Sequence, residues 1–194
     1  MIKQTIRASL TVLIAVVSLS IVSIAQTSPS QFTGIKIKNF GQMDEGFYRG
    51  AQPDPEDFKS LKDLGIKTVI DLQNDPTDYE KGDVEALGMK YVNIPMMGRK
   101  YPTTEATETF LKTVNDPTTG KFFVHCAGGR HRTGAMGAVY RFQFYDWNLD
   151  QVYKEMKQYD FYTRFGHQAF KDFVEDYASR HAAKANSAVK TENK

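Results

Sequence analysis

The sequence predicts one α/β domain with a central sheet of four or five mostly parallel strands, flanked by helices. Short apolar runs alternate with helix-compatible stretches as far as residue 126, which is typical of strands joined by helical crossovers. The last third of the chain carries aromatic residues at helical spacing. With 194 residues, 41% of them hydrophobic, the chain is long enough to bury one core.

The predicted strands follow runs rich in β-branched and aromatic residues. They cover residues 35–40, 45–50, 67–72, 90–95 and 121–125. In the first of these runs apolar residues alternate with basic ones, which indicates an edge strand. The run at 67–72 contains Val69, Ile70 and Leu72 and predicts a buried strand.

Helix signals lie between and after these strands. Asp54 can cap a helix that has Pro55 in its first turn and acidic residues near its positive end. The other predicted helices cover residues 80–87, 103–115, 135–145, 148–159 and 167–181. The folded domain is therefore predicted to span 34–181, with a flexible lead-in at 26–33 and a disordered tail at 182–194.

The N-terminal 25 residues have the composition of a secretory signal peptide. Lys3 and Arg7 precede an uncharged, largely apolar stretch, and Ser23 and Ala25 place small residues at the −3 and −1 positions of a cleavage site. We interpret 1–25 as a signal peptide and expect a periplasmic or secreted protein with no membrane span after cleavage. The alternative is an uncleaved N-terminal membrane anchor, although four serines and a threonine dilute the apolar stretch.

The charge balance argues against nucleic acid as a partner. The formal net charge is +2, and removal of Lys3 and Arg7 with the leader brings it to zero, which is not the charge of a globally basic binder. The positive charge is concentrated at residues 99–100 and 130–132. The chain has a single cysteine, which cannot form an intramolecular disulfide and so fits an oxidising compartment.

That cysteine, Cys126, lies in a segment with the residue types of an anion-binding loop. An apolar run at 122–124 precedes it, Gly128 and Gly129 follow it, and a helix-compatible stretch comes next. Strand, glycine-bearing loop and helix together direct backbone N–H groups and the positive end of a helix toward one point. A cysteine in such a loop should be a thiolate, which can attack phosphorus and form a phosphocysteine intermediate.

The other residues of the loop suit the same chemistry. Arg132 can bind two phosphate oxygens with its planar fork, and Thr133 can donate a hydrogen bond to the thiolate. His125 is expected behind the nucleophile, orienting it through a backbone carbonyl. The remaining residues are predicted to bind phosphate, with positive charge from the last two: Ala127, Gly128, Gly129, Arg130 and His131.

The segment 125–134 resembles the signature loop of the cysteine-dependent tyrosine and dual-specificity phosphatases. It is especially similar to the loop of the plant and fungal atypical dual-specificity phosphatases. Residues 47–53 are similar to the opening motif of the same group, and residues 64–72 fit the strand that follows. The resemblance implies a phosphatase fold over 34–181, with Cys126 as nucleophile and Arg132 as the phosphate-binding arginine.

The sequence departs from the family pattern at the general acid. Related phosphatases place an aspartate on a movable loop, whereas the corresponding residues 96–102 contain no carboxylate. Asp75 and Asp78 lie on another turn that could approach the site, and we leave the general acid unassigned. Without an acid, the chemistry favours a leaving group that is already a stable anion, such as the phosphate released from a pyrophosphate.

These residues predict an exported cysteine-dependent phosphatase that hydrolyses phosphate monoesters on phosphotyrosine or other phosphoprotein substrates. The alternatives are an inositol phosphate or pyrophosphate phosphatase and a non-catalytic phosphate-binding module. No metal or other cofactor is predicted, because the four histidines lack ligand spacing. The expected partner is the phosphorylated substrate alone.

Overall fold

The computed structural model describes residue 32 and residues 34–192, which form a five-stranded sheet flanked by helices. The strands are β1 (Gly41–Gln42), β2 (Phe47–Ala51), β3 (Thr68–Gln73), β4 (Lys90–Met96) and β5 (Phe122–Cys126). Their order across the sheet is β1-β2-β5-β3-β4, and β1 is antiparallel to β2 while the remaining pairs are parallel. The predicted α/β class with a mostly parallel sheet is confirmed.

The central strand β5 carries the cysteine to one edge of the sheet. It lies between β2 and β3, and all of its residues are buried because helices cover both faces of the sheet. Cys126 is its last residue and is in register with Ala51 at the end of β2. The loop that follows therefore lies at the carboxyl edge of the parallel strands, where open α/β sheets bind ligands.

The helices follow the predicted pattern except at the start of the first one. They are α1 (Asp57–Asp63), α2 (Glu80–Ala86), α3 (Thr104–Asn115), α4 (His131–Tyr145), α5 (Leu149–Gln158) and α6 (Gln168–Glu192), with a 3-10 helix at Pro117–Thr119. Helix α1 begins at Asp57 and has no side-chain cap, and the N–H of Asp54 donates to the Asp57 carboxylate at 3.0 Å. Thr103 caps α3 by accepting a hydrogen bond from the N–H of Ala106. Asn148 and Gln151 form a capping box at the start of α5.

The core has one cluster on each face of the sheet. Phe58 of α1 and Val84 of α2 pack against Val69 and Phe123 on one face. On the other face, helices α3 to α6 cover Ile70, Leu72 and Val124 with a larger set of side chains, which includes Phe110, Met136, Val139, Val152 and Phe170. Helix α4 is buried on nearly all sides, so its residues show little polar–apolar periodicity.

Two sequence-based expectations differ from the structure. Residues 35–40 do not form the predicted edge strand: Asn39 has a φ of 53°, which turns the chain, and β1 begins only at Gly41. The tail predicted to be disordered from residue 182 continues α6 as far as Glu192. Ala182 and Ala183 favour helix over an unstructured tail.

The predicted leader 1–25 lies outside the described residues. So does the predicted lead-in 26–33, except for residue 32. Phe32 is described, and its ring packs edge-on against Phe40 at a centroid distance of 5.1 Å. Within residues 32 and 34–192, no helix combines the length and apolar character that a membrane crossing requires.

Candidate active site

The loop between β5 and α4 is held open by hydrogen bonds from neighbouring segments. The carbonyl of Gly128 accepts a hydrogen bond from the side-chain amide of Asn39 at 2.8 Å. The carbonyl of Gly129 accepts one from the buried guanidinium of Arg49. The N–H that follows the Gly128 carbonyl, that of Gly129, donates to the carbonyl of Cys126 at 3.4 Å. Because the N–H and C=O groups of a planar trans peptide point in opposite directions, the N–H that follows the Gly129 carbonyl points away from Arg49, toward the interior of the loop. The loop can therefore surround an anion with N–H donors.

Gly129 is a position that only glycine can occupy. Its φ is +64°, and a Cβ at this position would lie 2.5 Å from the carbonyl carbon and oxygen of Gly50. The neighbouring Gly128 is different, because a Cβ there would meet nothing closer than the Arg130 side chain at 3.9 Å. The close approach of Gly129 to β2 brings the loop against the sheet, where Arg49 can reach it.

Cys126 has the environment of a nucleophilic thiolate. It is 3% exposed, and burial by itself raises the pKa of its thiol. The positive charge of Arg132, together with the nearby Thr133 hydroxyl and the N–H groups of Thr133 and Gly128, outweighs burial and brings that pKa below its ordinary value. The predicted roles, Arg132 as a phosphate ligand and Thr133 as a hydrogen-bond donor to the thiolate, stay predictions.

Arg132 is fixed by the ends of two strands. Its Nη1 donates hydrogen bonds to the carbonyl oxygens of Met96 at 3.1 Å and Leu72 at 3.4 Å, and its side chain is buried. These bonds leave Nε and Nη2 to form the two-pronged contact with phosphate that lysine cannot make. The guanidinium is thereby oriented before any substrate arrives.

His125 is buried behind the nucleophile, but its partner differs from the expected backbone carbonyl. Its Nε2 lies 2.7 Å from Oε1 of Glu80 and 3.9 Å from Oδ1 of Asp71, and all three side chains are fully buried. Burial raises the pKa of Asp71, even though His125 and the hydrogen bond from Tyr91 oppose that shift. A carboxylate from α2 attracts the imidazole more strongly than a neutral carbonyl would.

The Asp71, Glu80 and His125 side chains place one ligand atom each within 4.8 Å of one another. Glu80 and His125 are paired with each other, and Oε2 of Glu80 also accepts a hydrogen bond from Gln52 at 2.8 Å. By hydrogen-bond geometry, Oε1 of Glu80 and both ring nitrogens of His125 have no partner among the described residues. The sequence-based expectation of no metal stays a prediction.

His131 does not supply the positive charge expected of it. It is 8% exposed, and its ring stacks on His167 with centroids 3.6 Å apart and an interplanar angle of 1°. Burial, together with His167 and nearby arginines, lowers its pKa to about 4, so the ring is neutral at physiological pH. Its Nε2 lies 2.9 Å from the carbonyl oxygen of Tyr162, which is the contact that a neutral Nε2–H tautomer makes. His131 therefore connects the catalytic loop to the α5–α6 loop.

Arg130 lies at the rim of the loop, as predicted. Its Nη2 is 3.6 Å from Oδ2 of Asp160, and its guanidinium lies 6.0 Å from the centre of the Tyr162 ring. Both partners belong to the α5–α6 loop, residues 159–167, and Asp160 has a φ of 58°. The positive charge of the rim thus comes from Arg130 rather than from His131.

The structure does not assign a general acid. Asp75 and Asp78 are exposed on the β3–α2 loop, and within residues 34–192 neither forms an ion pair or hydrogen bond with the catalytic loop. Residues 96–102 carry Arg99 and Lys100 but no carboxylate. A carboxylate that can protonate a leaving group is therefore not in place on the loop that anchors Arg132.

Sequence reasoning missed the residues that support the loop from outside. Arg49 and Gln52 lie in the segment 47–53 that resembles the family's opening motif, yet its pattern does not reveal that they reach the catalytic loop. Gln52 donates its N–H to the carbonyl of Ala127 at 3.5 Å, so Ala127 is held like its two neighbours. Glu80 gave no signal, since one acidic residue near a helix start is common.

The chain matches a protein-family model over residues 21–176; the model is described as "DSP-PTPase phosphatase fused to NAD+ Kinase". It is 31% identical over 128 residues to OCA1 of Mycosarcoma maydis, named as a candidate tyrosine-protein phosphatase, and covers 79% of that protein with 62% of its own length. It is 30% identical over 125 residues to inositol diphosphatase DSP3 of Arabidopsis thaliana, of which it spans 61% with 62% of its own length.

The yeast inositol diphosphatase SIW14 is similar in sequence and in structure. The chain is 27% identical to the Saccharomyces cerevisiae protein over 164 residues, which are 77% of this chain and 56% of SIW14. The Siw14 catalytic core superposes with a TM-score of 0.62 at 25% identity, covering 77% of this chain and 93% of the core. The chain thus spans less than two thirds of full-length SIW14 and DSP3. The matched residues include the loop, the cysteine and the arginine, and the chain belongs to the DSP-PTPase family of cysteine-dependent phosphatases.

Proposed function

We propose that the chain hydrolyses the phosphoanhydride of a polyphosphorylated small molecule, with inositol pyrophosphates as the substrate class. Two relatives, DSP3 and SIW14, are named inositol diphosphatases, which supports this choice. The observation that carries the proposal is the lack of a carboxylate in residues 96–102, beside a loop that is otherwise complete for phosphoryl transfer.

The proposed reaction has two displacement steps at phosphorus. The Cys126 thiolate attacks the terminal phosphorus, an S–P bond forms, and the bond to the bridging oxygen breaks, releasing the remaining inositol phosphate as an anion. Arg132 and the loop N–H groups bind the three equatorial oxygens and stabilise their charge. Water then attacks the phosphocysteine, the S–P bond breaks, and inorganic phosphate leaves with the protons of that water. The Thr133 hydroxyl can donate a hydrogen bond to the thiolate that is regenerated.

The leaving group decides how much acid catalysis the first step needs. A phosphate monoester released from an anhydride has a second pKa of about 6, whereas the phenol of tyrosine has a pKa of about 10. The phosphate leaves readily as an anion, while phenolate departure benefits more from a proton donor. A site without an assigned acid is therefore better suited to the anhydride.

Phosphotyrosine is the second candidate substrate. It was the first choice when the substrate was predicted from the sequence alone. The name of OCA1 supports it. Cys126, Arg132 and Thr133 would serve a phosphotyrosine substrate equally well, so the two candidates differ only in the leaving group and in what surrounds the loop. Because the anhydride releases the more stable anion, we place the inositol pyrophosphate before phosphotyrosine.

A phosphate-release panel tests the proposal. It compares an inositol pyrophosphate, the matching inositol polyphosphate without the anhydride, and a phosphotyrosine peptide, each with the wild-type chain and with Cys126→Ser. We expect kcat/KM for the pyrophosphate to exceed that for the peptide by at least about tenfold, since one pKa unit of leaving-group stability is worth about 1.4 kcal/mol. A higher kcat/KM for the peptide would establish the second candidate instead.

We also propose that the enzyme is exported, with residues 1–25 removed. The support is the sequence of the leader: Lys3 and Arg7, the uncharged stretch that follows, and small residues before Gln26. Mass spectrometry of the full-length chain expressed in a bacterial host tests this. A periplasmic or secreted product that begins at Gln26 supports export, and a membrane-bound product that retains residues 1–25 would establish the anchor instead.

A further inference from the structure

We propose that Glu80 is a positioning residue for phosphoryl transfer, which holds the chain on both sides of the nucleophile. One of its carboxylate oxygens contacts the side chain that precedes Cys126, and the other fixes a residue that binds the peptide after it. The inference rests on the proposed attack by Cys126. It does not depend on the leaving group, because both candidate substrates would use the same loop.

The first contact of Glu80 is with His125, the residue directly before the nucleophile. Oε1 of Glu80 lies 2.7 Å from Nε2 of His125, and both side chains are fully buried. Side chains alternate across a strand, so His125 lies on the face of β5 that α2 covers, stacked on Phe123, while Cys126 lies on the opposite face. The contact therefore connects the end of β5 to α2 from behind the sulfur.

The second contact of Glu80 is with Gln52, which follows the end of β2 beside the nucleophile. Nε2 of Gln52 donates a hydrogen bond to Oε2 of Glu80 at 2.8 Å. Oε1 of Gln52 accepts one from Nε2 of Gln73, at the end of β3. Both ends of the Gln52 amide thus have partners, and its orientation is defined.

The backbone of Gln52 in turn orients the peptide that follows the nucleophile. Its N–H donates to the carbonyl of Ala127 at 3.5 Å. Because the C=O and N–H groups of a planar trans peptide point in opposite directions, the N–H of Gly128 points away from Gln52. That N–H acts on the sulfur and is among the groups that lower the pKa of Cys126. Glu80 therefore reaches the thiolate through Gln52 and one peptide plane.

Two arginines also act on the charge of the thiolate, Arg132 on α4 and Arg49 on β2. Within residues 34–192 neither forms an ion pair with Glu80, so replacement of Glu80 leaves both in place. A preorganised N–H that faces developing charge is worth about 10²–10³ in kcat. Misdirection of one such donor is therefore measurable beside the two arginines.

The test measures the pH midpoint of Cys126 alkylation by iodoacetamide, together with kcat and KM for p-nitrophenyl phosphate. In Glu80→Ala and in Gln52→Ala we expect the midpoint to rise by at least about half a pH unit, since a donor to the charged form holds a pKa down. We expect kcat to fall by at least about tenfold with KM nearly unchanged, because the loop N–H groups bind most strongly in the transition state. Gln52 is only half-buried, so its variant keeps the test open if Glu80→Ala does not fold.

The matched control is Val84→Ala, a fully buried side chain on the same helix that packs in the core. It should lower the melting temperature while leaving the midpoint and kcat unchanged, because it removes only core volume. The double variant Glu80→Ala with Gln52→Ala should be little worse than Glu80→Ala, since Glu80 acts on the loop through Gln52.

An unchanged midpoint in Glu80→Ala and Gln52→Ala would overturn the inference, and so would an equal shift in Val84→Ala. Losses that simply add in the double variant would show that the two residues act separately, which also contradicts it. If Cys126→Ser remains active, the proposed function fails, yet the alkylation midpoints still report on Glu80.

Discussion

Nε2 of His125 lies 2.7 Å from Oε1 of Glu80, and both side chains are fully buried beneath the nucleophile. Loss of one partner leaves the other polar group buried and unpaired, which costs about 1–3 kcal/mol. We therefore expect Glu80→Ala to lower the free energy of unfolding by about that amount, measured by urea denaturation.

The matched control for Glu80→Ala is Asp63→Ala. Asp63 pairs with Lys59 at 2.6 Å, but both side chains are mostly exposed, and exposed pairs contribute at most about 1 kcal/mol. Equal losses in the two variants would show that burial of the Glu80–His125 pair contributes nothing to stability.

The ionisation of Cys126 gives a second prediction. It is the single cysteine in the chain, so alkylation by iodoacetamide reports on it alone. Because the pKa of its thiol is lowered, the alkylation rate should reach half its maximum at a pH below the ordinary value for a thiol. Thr133→Val should move that midpoint to higher pH, and Thr109→Val, an exposed site on α3, should not. A wild-type midpoint at or above the ordinary value would contradict the thiolate assignment.

The neutral His131 gives a pH-dependent prediction. Its pKa falls from 6.5 to about 4 on folding, so between those values the unfolded chain binds a proton that the folded chain does not. The stabilising contribution is therefore complete above pH 6.5 and is lost as the pH falls toward 4. His131→Phe should flatten the dependence of unfolding free energy on pH in this window, and His131→Phe with His167→Phe should flatten it further. Identical slopes in wild type and both variants would mean that neither ring is kept neutral by the fold.

The two loop glycines allow a direct comparison. Gly129→Ala places a Cβ 2.5 Å from the backbone of Gly50 at a φ of +64°, whereas Gly128→Ala meets nothing within 3.9 Å. Left-handed strain alone costs about 1–3 kcal/mol, and the clash adds to it. We expect a clear drop in melting temperature for Gly129→Ala and a small change for Gly128→Ala, and similar melting temperatures would show that the loop does not require this approach.

Most of the fold could be predicted because its signals are local. The buried run at 67–72 became β3, and the capped stretch after Thr103 became α3, each within a residue or two. The wrong prediction of an edge strand at residues 35–40 has a tertiary cause. Asn39 turns the chain away from the predicted edge strand, and its side chain binds a loop 89 residues away.

The same difference between local signals and contacts from distant parts of the chain explains which site features could be predicted. Cys126, Arg132 and Thr133 lie within eight consecutive residues whose spacing is specific, and the structure brings them together. The charge of His131 depends on His167, and the orientation of His125 depends on Glu80; both partners come from distant parts of the chain. No local pattern could indicate either pairing.

The measurement that tests the account most directly is mass spectrometry of enzyme mixed with an inositol pyrophosphate and quenched in acid within milliseconds. We expect wild-type enzyme to carry one phosphoryl group, on the peptide that contains Cys126, and Cys126→Ser to carry none there while still binding the phosphate analogue tungstate. Turnover without any phosphorylated Cys126, or a phosphoryl group on another residue, would contradict catalysis through a phosphocysteine at this loop.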